Sequence, residues 1–564
     1  MNRRTFIKNA AKAGIAIAAL PNLRSSFAKN PASQTPLALN ALRIPPVISG
    51  GDLTIAQTTF KIFPDADANI LSINNTFPAP TIKLKTGDTF TAKVINNLSE
   101  PTVLHWHGIH APSAMDGHPK NAIAPGGTFD VNYQIIQRAG TFFYHSHTDM
   151  ATARQTYMGM AGCFIIENDE ELALKLPSGE FEIPLLIQDK RFDANKQLIY
   201  KPVNLDTSSG WLGDQILING TPNANLDVKQ TMYRFRLING SNARIYLITL
   251  GADQKPFTII GNDGGLLEAP VTATSAFFSP AERLDIIIDF SSFSIGQTLI
   301  LKSASFPYGG DPSSGSLQQG DAFDMMQFTV TASGTKGNPI PATLSSITKY
   351  TLSDVKQSRA FELSGNDFIN LKMFDMNRID QHVPLGDLEK WSFINESQAI
   401  HPMHVHGTQF QVMDRSGNPP ELYEMGWKDV IRVDPSQSVN VLIRFAAPTE
   451  YTGIYLVHCH NLEHEDMGMM SNFQIEDSGA VEENNPSENA LEIFPNPARD
   501  YALLKFPPLE NDTPLIIADE KGSTLLKEIL SKGSDRYAII SANFASGLYN
   551  IKLGDQMANL IIMR

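Results

Sequence analysis

A short β-type element recurs three times along this chain: Val94-Ile95-Asn96-Asn97, Leu237-Ile238-Asn239-Gly240 and Phe393-Ile394-Asn395-Glu396. The first asparagine of each is 143 and then 156 residues from the next. A period near 150 is too long for a solenoid, so whole domains repeat. Flanking offsets agree. Asn96 precedes His105 by nine residues and Asn395 precedes His404 by nine; Gly140 precedes His145 by five and Gly453 precedes His458 by five. The first and third repeats therefore carry histidines at matching positions, while the second carries none. Short β-type runs such as Thr81–Leu84, Phe90–Ile95, Thr141–Tyr144 and Ile454–Val457 are separated by Gly, Pro and Asn, and no long amphipathic helix stands out. This is an all-β sandwich or barrel pattern. It predicts three related β-domains over residues 45–170, 180–335 and 345–476, with metal where the first meets the third and the middle one a spacer.

The ends of the chain read differently. Arg3-Arg4 followed by Phe6-Ile7-Lys8, an apolar stretch from Ala10 to Leu20 and Ser26-Phe27-Ala28 make residues 1–28 a twin-arginine-like export signal. The apolar stretch contains Lys12 and is too short to span a bilayer core of about 30 Å. No later segment has 18 uninterrupted apolar residues, so no transmembrane span is expected in the mature protein. Residues 1–28 hold five basic and no acidic residues, so removing them takes the net charge from −14 to −19. That balance argues against a nucleic-acid partner, which needs a basic face. Residues 477–490 are acidic and polar, a linker composition. Beyond them, 491–564 opens with Ile493-Phe494-Pro495-Asn496-Pro497 and closes with Gly547-Leu548-Tyr549-Asn550-Ile551-Lys552 and a final strand. This module resembles the C-terminal sorting domain of the type IX secretion system. The resemblance implies export to the periplasm by the twin-arginine machinery, then passage by the type IX machinery to the cell surface or medium.

Ten of the 13 histidines fall in four windows: His105-Trp106-His107, His145-Ser146-His147, His401-Pro402-Met403-His404-Val405-His406 and His458-Cys459-His460 with His464. On a strand, residues i and i+2 face one side and i+1 the other. Each His-x-His thus aims two imidazoles at one place. Cys459, between His458 and His460, points away from them, toward His401 and His464, with a Met as weak axial partner. Two histidines, a cysteine and a long axial methionine form a blue-copper set, and eight further imidazoles suit copper. Structural zinc sites are closed and four-coordinate, and these residues do not partition that way. The two cysteines, Cys163 and Cys459, cannot make a disulfide framework. Cys163 lies in an apolar strand and reads as a core thiol. Met158 and Met160 read as packing, and His110, His118 and His382 as surface or outer-layer residues.

Over residues 45–476 these four motifs resemble the multicopper oxidase family, the group of laccases, bilirubin oxidases and copper-efflux oxidases. The resemblance implies three cupredoxin-like Greek-key sandwiches, with a small β-sandwich sorting domain after them, and four copper ions. By position, His401, Cys459 and His464 look like the type 1 ligands, with Met469 axial and Met467 and Met470 as neighbours that could take its place. His105 and His404 match the type 2 ligands. His107, His145 and His460 match one type 3 copper, and His147, His406 and His458 the other. Asp116 and Glu465 resemble the family's catalytic acids, able to relay protons to dioxygen.

The implied reaction couples four one-electron oxidations of a small-molecule donor to reduction of dioxygen to water. Efflux-type cuprous oxidases carry a Met-rich insert before the motif matching His401. Here the stretch from Ser353 to Ile400 holds only Met373 and Met376, and Ser397 stands where an acidic residue would suit a substrate copper. A laccase-like oxidase of phenols or aromatic amines is therefore expected. A cuprous oxidase and a copper-sequestering, non-enzymatic protein are the alternatives.

Overall fold

The structure, a computed structural model, describes residues 39–445, 451–477, 491–494, 498, 502–519, 521–539 and 544–562. The export signal expected over 1–28 and all but the first residue of the acidic linker lie outside the described residues.

The repeated asparagine has one structural task, performed three times. The strands Thr89–Asn96, Met232–Asn239 and Leu388–Asn395 each end on it. The Asn96 amide donates to the carbonyls of Glu100 and Ile123, and its oxygen accepts from the Leu98 N–H. Asn239 does the same with Arg244, Phe278 and Ser241, and Asn395 with Ala399, Val433 and Ser397. In every case the next strand belongs to the opposite sheet of the same sandwich. The buried amide therefore closes the crossover, satisfying main-chain groups that would otherwise be buried unpaired.

Each repeat is a two-sheet sandwich. In the first, the four-stranded sheet runs Ala66–Ile73, Gly51–Phe63, Thr89–Asn96, Thr128–Gln134. Its five-stranded partner runs Val47–Ile48, Ala79–Lys85, Ala161–Glu167, Gly140–Ser146, Leu104–His107. The third has two five-stranded sheets, one of them ordered Gln381–Pro384, Met470–Glu476, Gly453–Cys459, His401–Val405, Val430–Val433. The middle sandwich has sheets of six and seven strands. Alternation drives the assembly: along Thr89–Asn96, Phe90, Ala92, Val94 and Asn96 are buried between exposed or part-exposed neighbours. Residues of the C-terminal module form sheets of three and four strands around Leu504, Leu515, Ile517 and Ile551.

All four expected strand runs fall inside observed strands. Among the described residues the α-helices reach at most 6 residues, and none is long and apolar enough to cross a membrane. One strand differs from expectation. Asn40–Ala41, ahead of the first repeat, pairs in parallel with Ala224–Lys229 of the middle sandwich. Arg43 anchors this strap on the Gly220, Lys61 and Ile62 carbonyls. A two-residue strand leaves no periodicity to read.

Because the middle sandwich contains no histidine, it isolates the brace from metal binding. Asn239→Ala leaves two buried carbonyls and an N–H unpaired, so it should cost about 2–4 kcal/mol. Chemical denaturation should show that loss with copper content unchanged; a cost within about 0.5 kcal/mol would refute the brace.

Candidate metal centre

Strand pairing brings the four histidine windows together. Leu104–His107 pairs with Gly140–Ser146, setting His105 opposite His145. His401–Val405 pairs with Gly453–Cys459, setting His404 opposite His458 and Met403 opposite Cys459. His147, His406 and His460 follow just past their strand ends. Gly108 and Gly407, each the residue after a His-x-His, have φ of +81° and +69°. A Cβ at Gly108 would lie 2.6 Å from Asp429 Oδ2, and one at Gly407 2.5 Å from the Tyr455 ring, so neither position admits a side chain.

The eight imidazoles His105, His107, His145, His147, His404, His406, His458 and His460 are all buried, and the tautomers of His105, His107, His145 and His404 can be read from their partners. Nδ1–H of His105 donates to the Asp116 carbonyl (2.6 Å), that of His404 to the Asp429 carbonyl (2.7 Å) and that of His145 to the Ser146 carbonyl (2.8 Å). A carbonyl only accepts, so each Nδ1 carries the proton and each Nε2 presents a lone pair. Yet His105 Nε2 lies 3.4 Å from His404 Nε2, a contact between two lone pairs that no hydrogen can bridge. Further Nε2–Nε2 approaches join His145 to His460 (3.3 Å), His147 to His458 (3.3 Å) and His406 to His458 (3.0 Å). His107 is reversed. Its Nε2 donates to Asp429 Oδ1 at 3.2 Å, while its Nδ1 is buried without a partner. Burial holds His105, His107, His147, His404, His406 and His460 well below the ordinary histidine range, and neighbouring imidazoles add to the effect. Neutral, converging imidazoles are the form that binds metal, and a cation between His105 and His404 would relieve their lone-pair contact. His105, His404 and His406, then His107, His145 and His460, then His147, His406 and His458, each bring three donor atoms within 4.8 Å of one another.

On the opposite face of its strand, Cys459 Sγ lies 3.4 Å from His401 Nδ1 and 3.7 Å from His464 Nδ1. His464 Nε2–H donates to the Ser208 carbonyl (3.0 Å), and His401 Nε2 meets Ser397 Oγ at 2.7 Å. Both rings thus turn a lone pair toward sulfur. Met469 is fully buried in the same cluster as Cys459, whereas Met467 is part-exposed at the end of the helix Leu462–Asp466. Met470, also buried, stands opposite His458 in the next strand. Burial pushes the Cys459 thiol far above its ordinary range, so thiolate formation here requires a bound cation. Two imidazoles, a thiol and a methionine are a donor set that copper accepts.

Both expected carboxylates border the imidazole cluster. Asp116 Oδ2 is 2.7 Å from His406 Nδ1, and burial raises its carboxyl well above the usual range. Glu465 Oε2 is 3.2 Å from His458 Nδ1, and Oε1 is 3.6 Å from His147 Nδ1. Sequence reasoning missed a third, Asp429. It holds both His107 and His404 and is gripped by Arg283 of the middle sandwich through paired contacts, one of 2.7 Å. Burial outweighs Arg283 and lifts the Asp429 carboxyl to about 6. Asp263, beside Arg283 and Lys428, is held below its ordinary value by those two cations despite its burial. The middle sandwich is therefore more than a spacer. The available signal was a Lys428-Asp429 pair at the head of the apolar strand Val430–Val433.

The remaining residues have quieter surroundings. His118 is buried against Asn472 Oδ1 at 2.8 Å, and His382 is exposed on Glu476. Burial raises the Cys163 thiol to about 12, and Met160 lies in the first core with Met158 at its edge.

Paired sandwiches that share an all-imidazole cluster and a thiol-centred site define a copper protein. Multicopper oxidase family models match residues 54–171 and 339–479, and a secretion system C-terminal sorting domain matches 492–562. The chain is similar to a multicopper oxidase of Staphylococcus haemolyticus, 33% identical over 72% of this chain and 84% of the relative. It is 32% identical to a laccase of Bacillus subtilis over 76% of this chain and 94% of that one. The crystal structure of the McoA multicopper oxidase from Aquifex aeolicus superposes with a TM-score of 0.72 at 35% identity, covering 78% of this chain and all of that one. This chain belongs to the multicopper oxidases, copper-dependent oxidoreductases of cupredoxin-like fold, and carries a C-terminal secretion sorting domain. The family binds four copper ions of types 1, 2 and 3, and the histidine clusters here fit that complement.

Burial holds His110, His118, His145 and His464 at about 4, against an ordinary 6.5. As pH falls, the unfolded chain takes up protons first. In the metal-free protein, the stability these groups contribute is complete above 6.5 and is lost as pH falls toward about 4. Urea midpoints of metal-free protein should drop between about pH 7.5 and about pH 5, with uptake of more than one proton on unfolding. A flat profile contradicts this reading.

Proposed function

We propose that this chain is a laccase-like oxidase, coupling four one-electron oxidations of a phenol or aromatic amine to reduction of dioxygen to two waters. In this reading His401, Cys459 and His464, with Met469, would hold the type 1 copper, and His105 and His404 the type 2. His107, His145 and His460 hold one type 3 copper and His147, His406 and His458 the other. Bound copper supplies the one-electron redox chemistry at both sites. The chain's own residues do the rest. Cys459 is covalently flanked by His458 and His460, so one strand end joins the thiol site to the imidazole cluster. Asp116 Oδ2 lies 2.7 Å from His406 Nδ1 and Glu465 Oε2 3.2 Å from His458 Nδ1, so both carboxylates border the imidazole cluster, where they could relay the protons that reduction of dioxygen consumes. The Ser208 carbonyl caps His464 Nε2, so the segment Asn204–Ser209 packs against the fully buried His464.

The observation that carries the donor class is Ser397. Its hydroxyl, where a carboxylate would favour a Cu(I) substrate, meets His401 Nε2 at 2.7 Å. Only Met373 and Met376 are available as soft thioether ligands between Ser353 and Ile400. The export reading is the twin-arginine route to the periplasm, then release or surface attachment through the type IX machinery; the matched sorting domain at 492–562 supports the second step. Steady-state oxygen uptake tests the donor. A phenol such as 2,6-dimethoxyphenol should give a kcat/KM at least about tenfold that for Cu(I), about 1.4 kcal/mol in transition-state binding. A Cu(I) rate above the phenol rate reassigns the chain as a cuprous oxidase.

A further inference from the structure

A cleft of about 360 Å³ lies between the first and third sandwiches, away from the thiol-centred site. Its wall includes the segment Ile136–Arg138, the turn Gly407–Gln409 that follows His406, and Tyr350, Trp427 and Arg444. Two guanidiniums, Arg138 and Arg444, line it, and no carboxylate does among the described residues. Polar atoms in this wall are left without partners. Arg138 Nη1, Gln409 Nε2, His110 Nε2 and both amide atoms of Gln137 are shielded from solvent and make no hydrogen bond. Unmade bonds of this kind are individually costly and normally few, yet five fall in one wall. Arg138 makes no ion pair among the described residues, and burial lowers its pKa even though Glu170 pulls the other way. Arg444 is partly engaged: it donates to the Gly386 carbonyl at 3.1 Å and lies over the Tyr350 ring at 5.4 Å. Tyr350 and Trp427 meet edge to face at 5.2 Å, giving the cleft an aromatic side.

We propose that this cleft binds an aromatic carboxylate, its carboxylate on Arg138 and its ring against Tyr350 and Trp427. Side-chain rotation turns Arg138 Nη1 and Gln409 Nε2, unbonded where they stand, onto that carboxylate, and the Gln137 amide, with one donor group and one acceptor, adapts to the rim of the ligand. A planar ring fits a half-apolar slot of this size, where a small inorganic anion would leave the aromatic side unfilled. Because residues next to the metal-cluster windows of both outer domains form the walls, the ligand also ties those domains together.

Titration calorimetry on the copper-loaded full chain tests this with benzoate as the probe, benzamide as its uncharged counterpart and inorganic phosphate as the bare anion. The expected result is one benzoate bound per chain, at least about tenfold tighter than either comparator, with a raised thermal midpoint. Arg138→Gln should weaken benzoate at least about tenfold, and Arg138→Lys should restore part of the loss. Arg138 has no hydrogen bond or ion pair to lose among the described residues, only a longer-range attraction to Glu170, so both variants should keep the native thermal midpoint without ligand. Benzoate binding unchanged in Arg138→Gln places the anion elsewhere, the metal centre included, and overturns the proposal. So does phosphate binding as tight as benzoate, or no binding to the native chain.

Discussion

The structure depends on imidazole lone pairs that have nowhere to go but toward one another. Main-chain carbonyls at Asp116, Asp429 and Ser146 take the Nδ1 protons of His105, His404 and His145. The opposite nitrogens then converge in a space from which water is excluded, with His105 and His404 at 3.4 Å. A hydrogen bond cannot form between two acceptors, and protonation is opposed by burial. A cation between them relieves that contact, and it would hold the outer two sandwiches in register alongside their packed surfaces.

Other features of the fold serve that convergence. The buried asparagines close the sheet crossovers and thereby fix where Leu104–His107 and His401–Val405 begin. Glycines at 108 and 407 let the chain turn away immediately after each pair, where any Cβ would strike Asp429 or Tyr455. Asp429 orients two imidazoles at once and is itself held by Arg283, which ties the histidine-free middle sandwich to the cluster. Outer groups that fix a ligand's tautomer commonly matter nearly as much as the ligand itself.

Residues whose meaning lies in local spacing were legible in the sequence. Alternation along a strand is a property of two or three neighbouring residues, so His-x-His and the opposed Cys459 could be read directly, and the repeat offsets showed that two domains share the windows. The asparagine repeat marked the domains, but its bracing role was hidden, because its partners lie up to 39 residues away. Asp429 was hidden for the same reason: its grip on His107 spans 322 residues and its pair with Arg283 spans 146. The strap Asn40–Ala41 reaches the middle sandwich across a comparable gap, and no pattern within two residues could announce it.

If one strand end serves two copper sites, with Cys459 facing one and His458 and His460 the other, removing the thiol should empty one site and spare the other. Copper counting and visible absorption on Cys459→Ser test it most directly. The native chain should hold four coppers and absorb intensely in the visible. The variant should lose one copper and the blue colour while keeping the other three in the imidazole cluster. A variant that remains blue, or a native chain that cannot hold four coppers, would contradict it.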